Sequence, residues 1–563
     1  MPTGNLRKQI IMSEIKQTKE ERLKKEKAGL DVLADIYRYA ETGFDTIDPG
    51  DFMRFKWYGV YQQRPNEGHF MMRIKVPGGR LTTAQLHALA DLTRDYAHGI
   101  SDITTRQTIQ LHWLTIDQMP DIFARLEAVG LTTAGACGDI TRNLTSSPAA
   151  GFDPQEIVDP RPVVDALQNF FHMNKDFGDL PRKYKIAVEG SAIQSTLPQI
   201  NDASLIAYKR PSDGVVGYHF FVGGGLSLQP FFGQQLDIFV HADQIDKIID
   251  VQRAISECYR DADQLRLKRT RARLKYLMAE WGPAKFTAEV RKKLTWSPDP
   301  AAPGFEFSDE TFRDHLGVNA QKQPGLNWIG LCILSGRITD AQMTDAAKIA
   351  DKYGQGEVRL TNVQNLLIPH IATEDLDAAK ADLTAAGFEW DVPNIRRGAI
   401  TCTGIEFCNL AITETKLRIK EVVGYLEEVV PNPYERGIKI NMNGCPNSCA
   451  HHHVGDIGLQ GCLARLEDDS QVEAFDIHLG GDLGAHPSFT RAIHRKVPAE
   501  KVKYALGNVI QRFQETRENG ERFAQGAHRH TNEELDTFLG VETIIGAPDL
   551  PASAQGAGAT AWR

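Results

Sequence analysis

The sequence predicts an α+β protein built from two related halves. Three observations carry that expectation: a repeat at constant offset, the same alternation of strands and helices in each copy, and a chain too long for one ordinary core. PGGRLTTAQLHALADL from Pro77 resembles LSGRITDAQMTDAAKIA from Leu334, with Arg337 lying 257 positions after Arg80. The same step of 257 carries Gln107 onto Gln364, Gly130 onto Gly387, and VGGGLS at Val222 onto LGGDLG at Leu479. One short match is chance, whereas a constant step across separated segments means duplication. At 563 residues the chain should divide into several domains.

Within each copy the apolar pattern changes period in the same order. Ile74 and Val76 alternate as a strand, a helix is expected from about Thr83, a second strand around Ile109 and Leu111, and a second helix near Asp121. Two such units are expected to pair into one mixed-sheet domain, and a longer α/β segment follows in each half. The first of these segments ends in LRLKRTRARLKYLMAEWG, read as one very basic helix from Leu265, before a Pro-rich stretch from Trp296 to Pro303 opens the linker. The charged run from Ser13 to Tyr39 reads as a helix with a largely solvated face. The expected division is therefore an extension and helix over 1–51, a first half-domain over 52–135 and a first α/β domain over 136–300. A linker over 301–322, a second half-domain over 323–394, a second α/β domain over 395–540 and a flexible tail over 541–563 complete it. Met12 offers a second possible start, and neither end is expected to carry chemistry.

Composition narrows the function classes. Hydrophobic and charged contents of 42% and 24% are those of a globular protein in water, and no run approaches the roughly 20 apolar residues of a membrane span. A net charge of −9 argues against nucleic acid as the partner. With 8 cysteines and no apolar secretory segment, the expectation is a reducing compartment, the cytoplasm.

Four of those cysteines form two close pairs: Cys402 and Cys408 in TCTGIEFC, and Cys445 and Cys449 in NGCPNSC. Four thiolates suffice to hold an iron–sulfur cluster. Structural zinc sites draw on tighter pairs, often completed by histidine, so the five residues inside the first pair favour a cluster over zinc. Four unrelated core thiols are the bland alternative. Gly404, Gly444 and Pro446 beside the pairs point instead to loops bent around a bulky ligand. The cysteines occur only in the second half, while the first half concentrates cations: Arg73, Arg106, Arg142, Lys183 and Lys185, and then Arg269, Arg271, Arg273 and Lys275 within seven positions. Residues two apart on a strand share a face, so Lys183 and Lys185 could grip one dianion, although a solvated basic edge would look the same. His112 could equally be a satisfied, half-buried histidine. Arg106 corresponds to Val363 in the repeat, so the halves have specialised, and one site at their junction is the economical arrangement.

The two cysteine pairs, the Arg106 strand, Arg142, the Lys183/Lys185 strand and the duplication together resemble the ferredoxin-dependent sulfite and nitrite reductase family, over about Phe52 to Ala524. The resemblance implies duplicated ferredoxin-like half-domains and two related α/β domains that bind sirohaem and a [4Fe–4S] cluster. It implies that Cys402, Cys408, Cys445 and Cys449 hold the cluster and that Cys449 also bridges to the sirohaem iron. It further implies that Arg73, Arg142, Lys183 and Lys185 surround the anionic substrate, with Arg106, Gln110, His112, Arg271, Arg273 and Lys275 serving the cofactor. Sirohaem is rich in carboxylates, and burying them without cations costs several kcal/mol per charge. Lys183 and Lys185 are candidate proton donors.

The expected activity is the six-electron reduction of sulfite to sulfide, with nitrite reduction to ammonia as the alternative. Plant-type nitrite reductases commonly carry asparagine where this chain has Lys185, and a second lysine suits doubly charged sulfite. The cysteine flank leans towards nitrite reductases and ferredoxin-linked sulfite reductases. VGGGLS lacks the spacing of a dinucleotide fingerprint, so the expected electron donor is a separate carrier, ferredoxin. A cluster-only relay or redox sensor is the reading from another class, and a metal-free anion-binding protein a third. Cys137 is read as core, and Cys258, Cys332 and Cys462 carry no assignment.

Overall fold

The computed structural model describes residues 18–310, 313–430 and 437–544. Met1, Met12 and most of the expected tail lie outside the described residues. Among the described residues twenty strands form four five-stranded sheets, two in the half-domains and two in the α/β segments.

The half-domains share one hydrophobic core that runs from Leu30 through Ile140 and from Ile329 to Phe388. They do not share one mixed sheet. Each forms its own sheet, all pairings antiparallel, and each lends its short strand to the other: Arg337–Thr339 pairs with Ile100–Ile103, and Arg80–Thr82 pairs with Glu357–Leu360. Neither short strand pairs within its own half among the described residues, so the exchange leaves two stapled sheets in place of a continuous one. The staple is symmetric at the side-chain level. Gln107 Nε2 donates to the Leu360 carbonyl at 3.0 Å, and Gln364 Nε2 donates to the Ile103 carbonyl at 2.9 Å.

Each α/β segment opens with parallel strands and closes antiparallel. Ile186–Glu189 runs parallel to Ala203–Lys209, and Ile440–Asn443 runs parallel to Ile457–Arg465, each second-half residue standing 254 positions after its first-half counterpart. Helices pack behind both sheets in two separate cores. Between the segments a small apolar cluster joins equivalent residues across the repeat: Ile200 with Val454, Leu226 with Leu483, and Phe232 stacked on Phe489 at 3.9 Å. The halves therefore meet face to face about a pseudo-twofold axis.

Three local expectations change. The described part of the N-terminal charged run is two helices, Lys19–Glu26 and Leu33–Thr42, and the first is solvated on one face only: Lys19, Arg22, Lys25 and Glu26 are exposed, whereas Glu21 and Lys24 are buried, Lys24 pairing with Asp179 at 2.7 Å and Arg266 with Glu21 at 2.9 Å. The basic run is not one helix. Arg269–Arg271 is a 3₁₀ turn, and the long helix Leu274–Lys292 starts only after Arg273. Pairing of Arg269 with buried Asp139 and of Arg273 with buried Asp202 pulls neighbouring cations in different directions, which a continuous helix would not allow. Arg106 sits in the turn between Ile100–Ile103 and Ile109–Leu114 rather than on a strand.

Candidate active site

The strand ends place the cysteines. Cys402 follows Ala399–Thr401, and Cys445 and Cys449 follow Ile440–Asn443, its parallel neighbour, so both loops leave the same edge of the sheet. Ligands gather at the carboxyl ends of parallel strands for this reason. The Gly444 N–H donates to Cys402 Sγ at 3.2 Å, and Thr415 Oγ1 donates to the Cys402 carbonyl at 2.8 Å. Asn443 Oδ1 accepts from the Ala450 N–H at 2.7 Å and closes the second loop. Gly404 bends the first loop at φ 74°, and a Cβ there would meet Thr415 Oγ1 at 2.5 Å, so only glycine passes. Glu406, inside that loop, pairs with Arg337 at 2.8 Å, and Arg337 in turn pairs with buried Asp102 at 3.2 Å. The exchanged strand thus anchors the first cysteine loop.

The four sulfurs address one space. A charge on Cys449 would bear on each of Cys402, Cys408 and Cys445, and burial pushes the Cys402 thiol up to about 12. Among the described residues no three His, Cys, Asp or Glu side chains converge as a single metal ion requires. Four cysteines on two loops that leave the same sheet edge suit a polynuclear cluster.

Beside Cys449, which is exposed, a cavity open to solvent, about 540 Å³ with the solvent space at its mouth, lies between the halves. Arg106, Lys183, Lys185 and Arg273 line it from the first half, and Asn362, Ser448, Cys449 and His451 from the second. Of these cations only Arg273 has a carboxylate partner, Asp202, through two hydrogen bonds of 2.9 and 2.8 Å. Arg106 is held by neutral acceptors: Asn201 Oδ1 at 2.8 Å and the Asn143 carbonyl at 2.6 Å. Positive charge is consequently concentrated. Burial, and then Arg106, Lys183 and Arg273, hold Lys185 well below the usual ammonium range, and burial followed by Arg273 lowers Lys183 to about 7. Burial also brings Arg106 down to about 9. Arg273 is buried and Arg106, Lys183 and Lys185 are half-buried, so gathering their charges without a counter-charge is costly, and an anionic occupant reduces that cost. Five buried polar atoms on the lining have no protein partner: Arg106 Nε, Thr196 Oγ1, Asn362 Oδ1, Ser448 Oγ and His451 Nδ1. These residues fit a polycarboxylate cofactor and a small anion, and the cysteines fit a cluster.

The other sequence candidates stand off the lining. Arg73 donates to Cys137 Sγ at 3.1 Å and to Gln110 Oε1 at 3.2 Å, and although burial opposes its charge, Cys137 and Tyr61 keep the guanidinium firmly protonated. Arg142 donates to the Gly138 carbonyl at 2.7 Å. His112 is buried 3.3 Å from Asp102 and stacks on Phe407 at 4.0 Å, packing against the cysteine loop rather than facing the cavity. Arg271 is exposed over Tyr276, and Lys275 donates to the Leu226 carbonyl at 2.6 Å. Sequence reading missed Thr105, whose Oγ1 donates to the Cys449 carbonyl at 3.0 Å, together with Asn201, Asp202, Asn362, Ser448 and His451. Only the left-handed backbone at Ser448 and His451, beside the NGCPNSC loop, left a trace in a local motif.

The chain matches the nitrite and sulphite reductase 4Fe-4S domain over residues 137–298 and 394–541. It matches the nitrite/sulfite reductase ferredoxin-like half domain over residues 61–129 and 319–386. It is 36% identical over 523 residues to Sulfite reductase [ferredoxin] 2 of Mycolicibacterium paratuberculosis, covering 88% of this chain and 92% of that protein. Identity to the ferredoxin–nitrite reductase of Synechococcus elongatus is 40% over 479 residues, covering 83% and 91% of the two chains. The solved structure of the Mycobacterium tuberculosis NirA protein superposes with a TM-score of 0.87 at 34% identity, over 92% of this chain and 97% of that one.

Proposed function

The chain belongs to the nitrite and sulphite reductase family, and from that premise we propose that it reduces sulfite to sulfide with electrons from reduced ferredoxin. The single observation that carries the choice of sulfite is Lys185, a second half-buried lysine beside Lys183 in a cavity lined by no carboxylate among the described residues, Asp202 behind it being paired with Arg273. A doubly charged anion neutralises two adjacent ammonium groups better than a singly charged one.

Sirohaem and a [4Fe–4S] cluster, when bound, supply the electron path and the metal chemistry. We assign the cluster to Cys402, Cys408, Cys445 and Cys449, which would hold it, and Cys449, on the cavity wall, would be the cysteine that also serves the second centre. Arg106 and Arg273, on the cavity wall, would hold the cofactor carboxylates, with Lys275 behind the wall. Lys183 and Lys185 bind and orient the anion, and Lys183, with its pKa near 7, can release and regain a proton as the substrate oxygens leave as water. Arg73 and Arg142 add positive potential from behind the lining. Gln110 fixes Arg73, and His112 braces the cysteine loop. Arg271, exposed and away from the cavity, is left without a role. The donor docks near the cysteine loops, and the compartment is the cytoplasm. Among the described residues no helix is long and apolar enough to cross a membrane.

Nitrite is the second reading, favoured by the 40% identity to a nitrite reductase. Turnover of sulfite and nitrite measured side by side with reduced ferredoxin tests the order. The proposal expects the larger kcat/KM for sulfite, and a larger value for nitrite overturns it.

A further inference from the structure

We propose that Glu189 is a positioning residue that clamps the loop 190–197 and, through it, the Arg106 wall of the cavity. The inference rests on the reductase reading only for the identity of the occupant.

Glu189 ends the strand Ile186–Glu189 and is fully buried. Its Oε1 accepts from the Ser191 N–H at 3.1 Å, and its Oε2 accepts from the Ser195 and Thr196 N–H groups at 2.8 and 3.0 Å. Burial lifts the Glu189 carboxyl to about 7, and the three backbone donors aimed at it pull the other way, so its oxygens act as the acceptors that hold the loop. Leu197 follows in the left-handed region at φ 54° and ψ 51°, a conformation that a branched apolar residue keeps only when its surroundings impose it. Its carbonyl accepts from Asn201 Nδ2 at 2.9 Å, and Asn201 Oδ1 receives Arg106 Nη1 at 2.8 Å. Thr196, Leu197, Asn201 and Arg106 all line the cavity. A continuous chain of contacts therefore runs from Glu189 to the guanidinium.

The repeat supplies an independent argument. Asn443 stands 254 positions after Glu189 and accepts from the Ala450 N–H, itself 254 positions after Thr196. In the second half this clamp closes the loop that carries Cys445 and Cys449; in the first half the same positions are Ser191 and Ser195. A loop bearing two cluster ligands is fixed further by its metal, so one acceptor suffices. The serine loop has no such anchor, and the carboxylate takes three donors in its place.

The test uses holoenzyme of the wild type, Glu189→Ala and Glu189→Gln, read by amide exchange, sirohaem absorbance per chain and acid-labile sulfide per chain. In Glu189→Ala the Ser195 and Thr196 amides should exchange about a hundredfold faster, and sirohaem content should fall while acid-labile sulfide and thermal midpoint stay near wild type. Glu189→Gln, which keeps one carbonyl acceptor, should fall between the two. Unchanged amide protection with unchanged sirohaem overturns the proposal. So does loss of sirohaem and sulfide in equal proportion with faster exchange throughout 142–298, which is plain destabilisation. Wild-type protein lacking sirohaem absorbance would defeat the reductase reading, and the amide exchange would still decide the clamp.

Discussion

Lys185 stands among Arg106, Lys183 and Arg273, and burial makes each of those neighbours costly to it. Its value to the protein must come from what enters the cavity. Replacing it by asparagine relieves the repulsion and removes a donor, so Lys185→Asn should lower kcat/KM for sulfite by about tenfold or more, and for nitrite by less; equal losses in steady-state assays would remove the basis for preferring sulfite. Cys449→Ser should perturb both the cluster and the tetrapyrrole absorption, as expected of the thiolate nearest the cavity, and an intact coupled spectrum would count against that role. These residues were legible because cysteine pairs and lysines two apart carry their chemistry in their spacing. Asn201, Asp202 and Asn362 were not, since a single polar residue in mid-sequence looks the same whether it faces solvent or a buried cation.

At the scale of elements, the exchange of Arg80–Thr82 and Arg337–Thr339 does the joining. Gly79 and Gly336 lead into the exchanged strands at φ 71° and 73°, and a Cβ on Gly79 would meet the Leu360 carbonyl at 2.4 Å. Gly79→Ala should therefore cost about 2 kcal/mol or more, seen as a lower thermal midpoint with unchanged metal content. Next to the exchanged pairing, and although burial opposes it, His370 and Arg359 hold the Glu357 carboxyl down at about 2. A carboxyl depressed in the folded state stabilises above its unfolded pKa near 4.5 and loses that contribution as pH falls towards 2. Glu357→Gln should thus lower stability by about 1 kcal/mol at pH 7, with the gap to wild type narrowing below pH 4.5 in denaturant titrations. The helix and strand content of the half-domains was readable from period alone. The exchange was not, because a three-residue strand does not encode its partner, and the basic run was misread because charge pattern says nothing of the buried Asp139 and Asp202 that split it.

Across the whole molecule, duplication explains the division of labour. The fold was repeated with its loops, and then one half kept sulfur where the other has serine, while the other kept cations where the first has Val363 and Gly330 in place of Arg106 and Arg73. Duplication was visible in the sequence as a constant offset; the face-to-face packing that brings Thr105 to Cys449 was not, since it depends on contacts between residues hundreds of positions apart. Because each half completes the other's sheet, residues 18–310 and 313–544 expressed separately should be insoluble or unfolded and should recover a cooperative unfolding transition only when co-expressed; a stable isolated half would contradict the stapled architecture. The product formed per electron delivered is the most direct readout of a six-electron reductase. Oxidation of reduced ferredoxin by the purified protein in the presence of sulfite should yield one sulfide for every six electrons consumed, and ferredoxin oxidation without sulfide would contradict it.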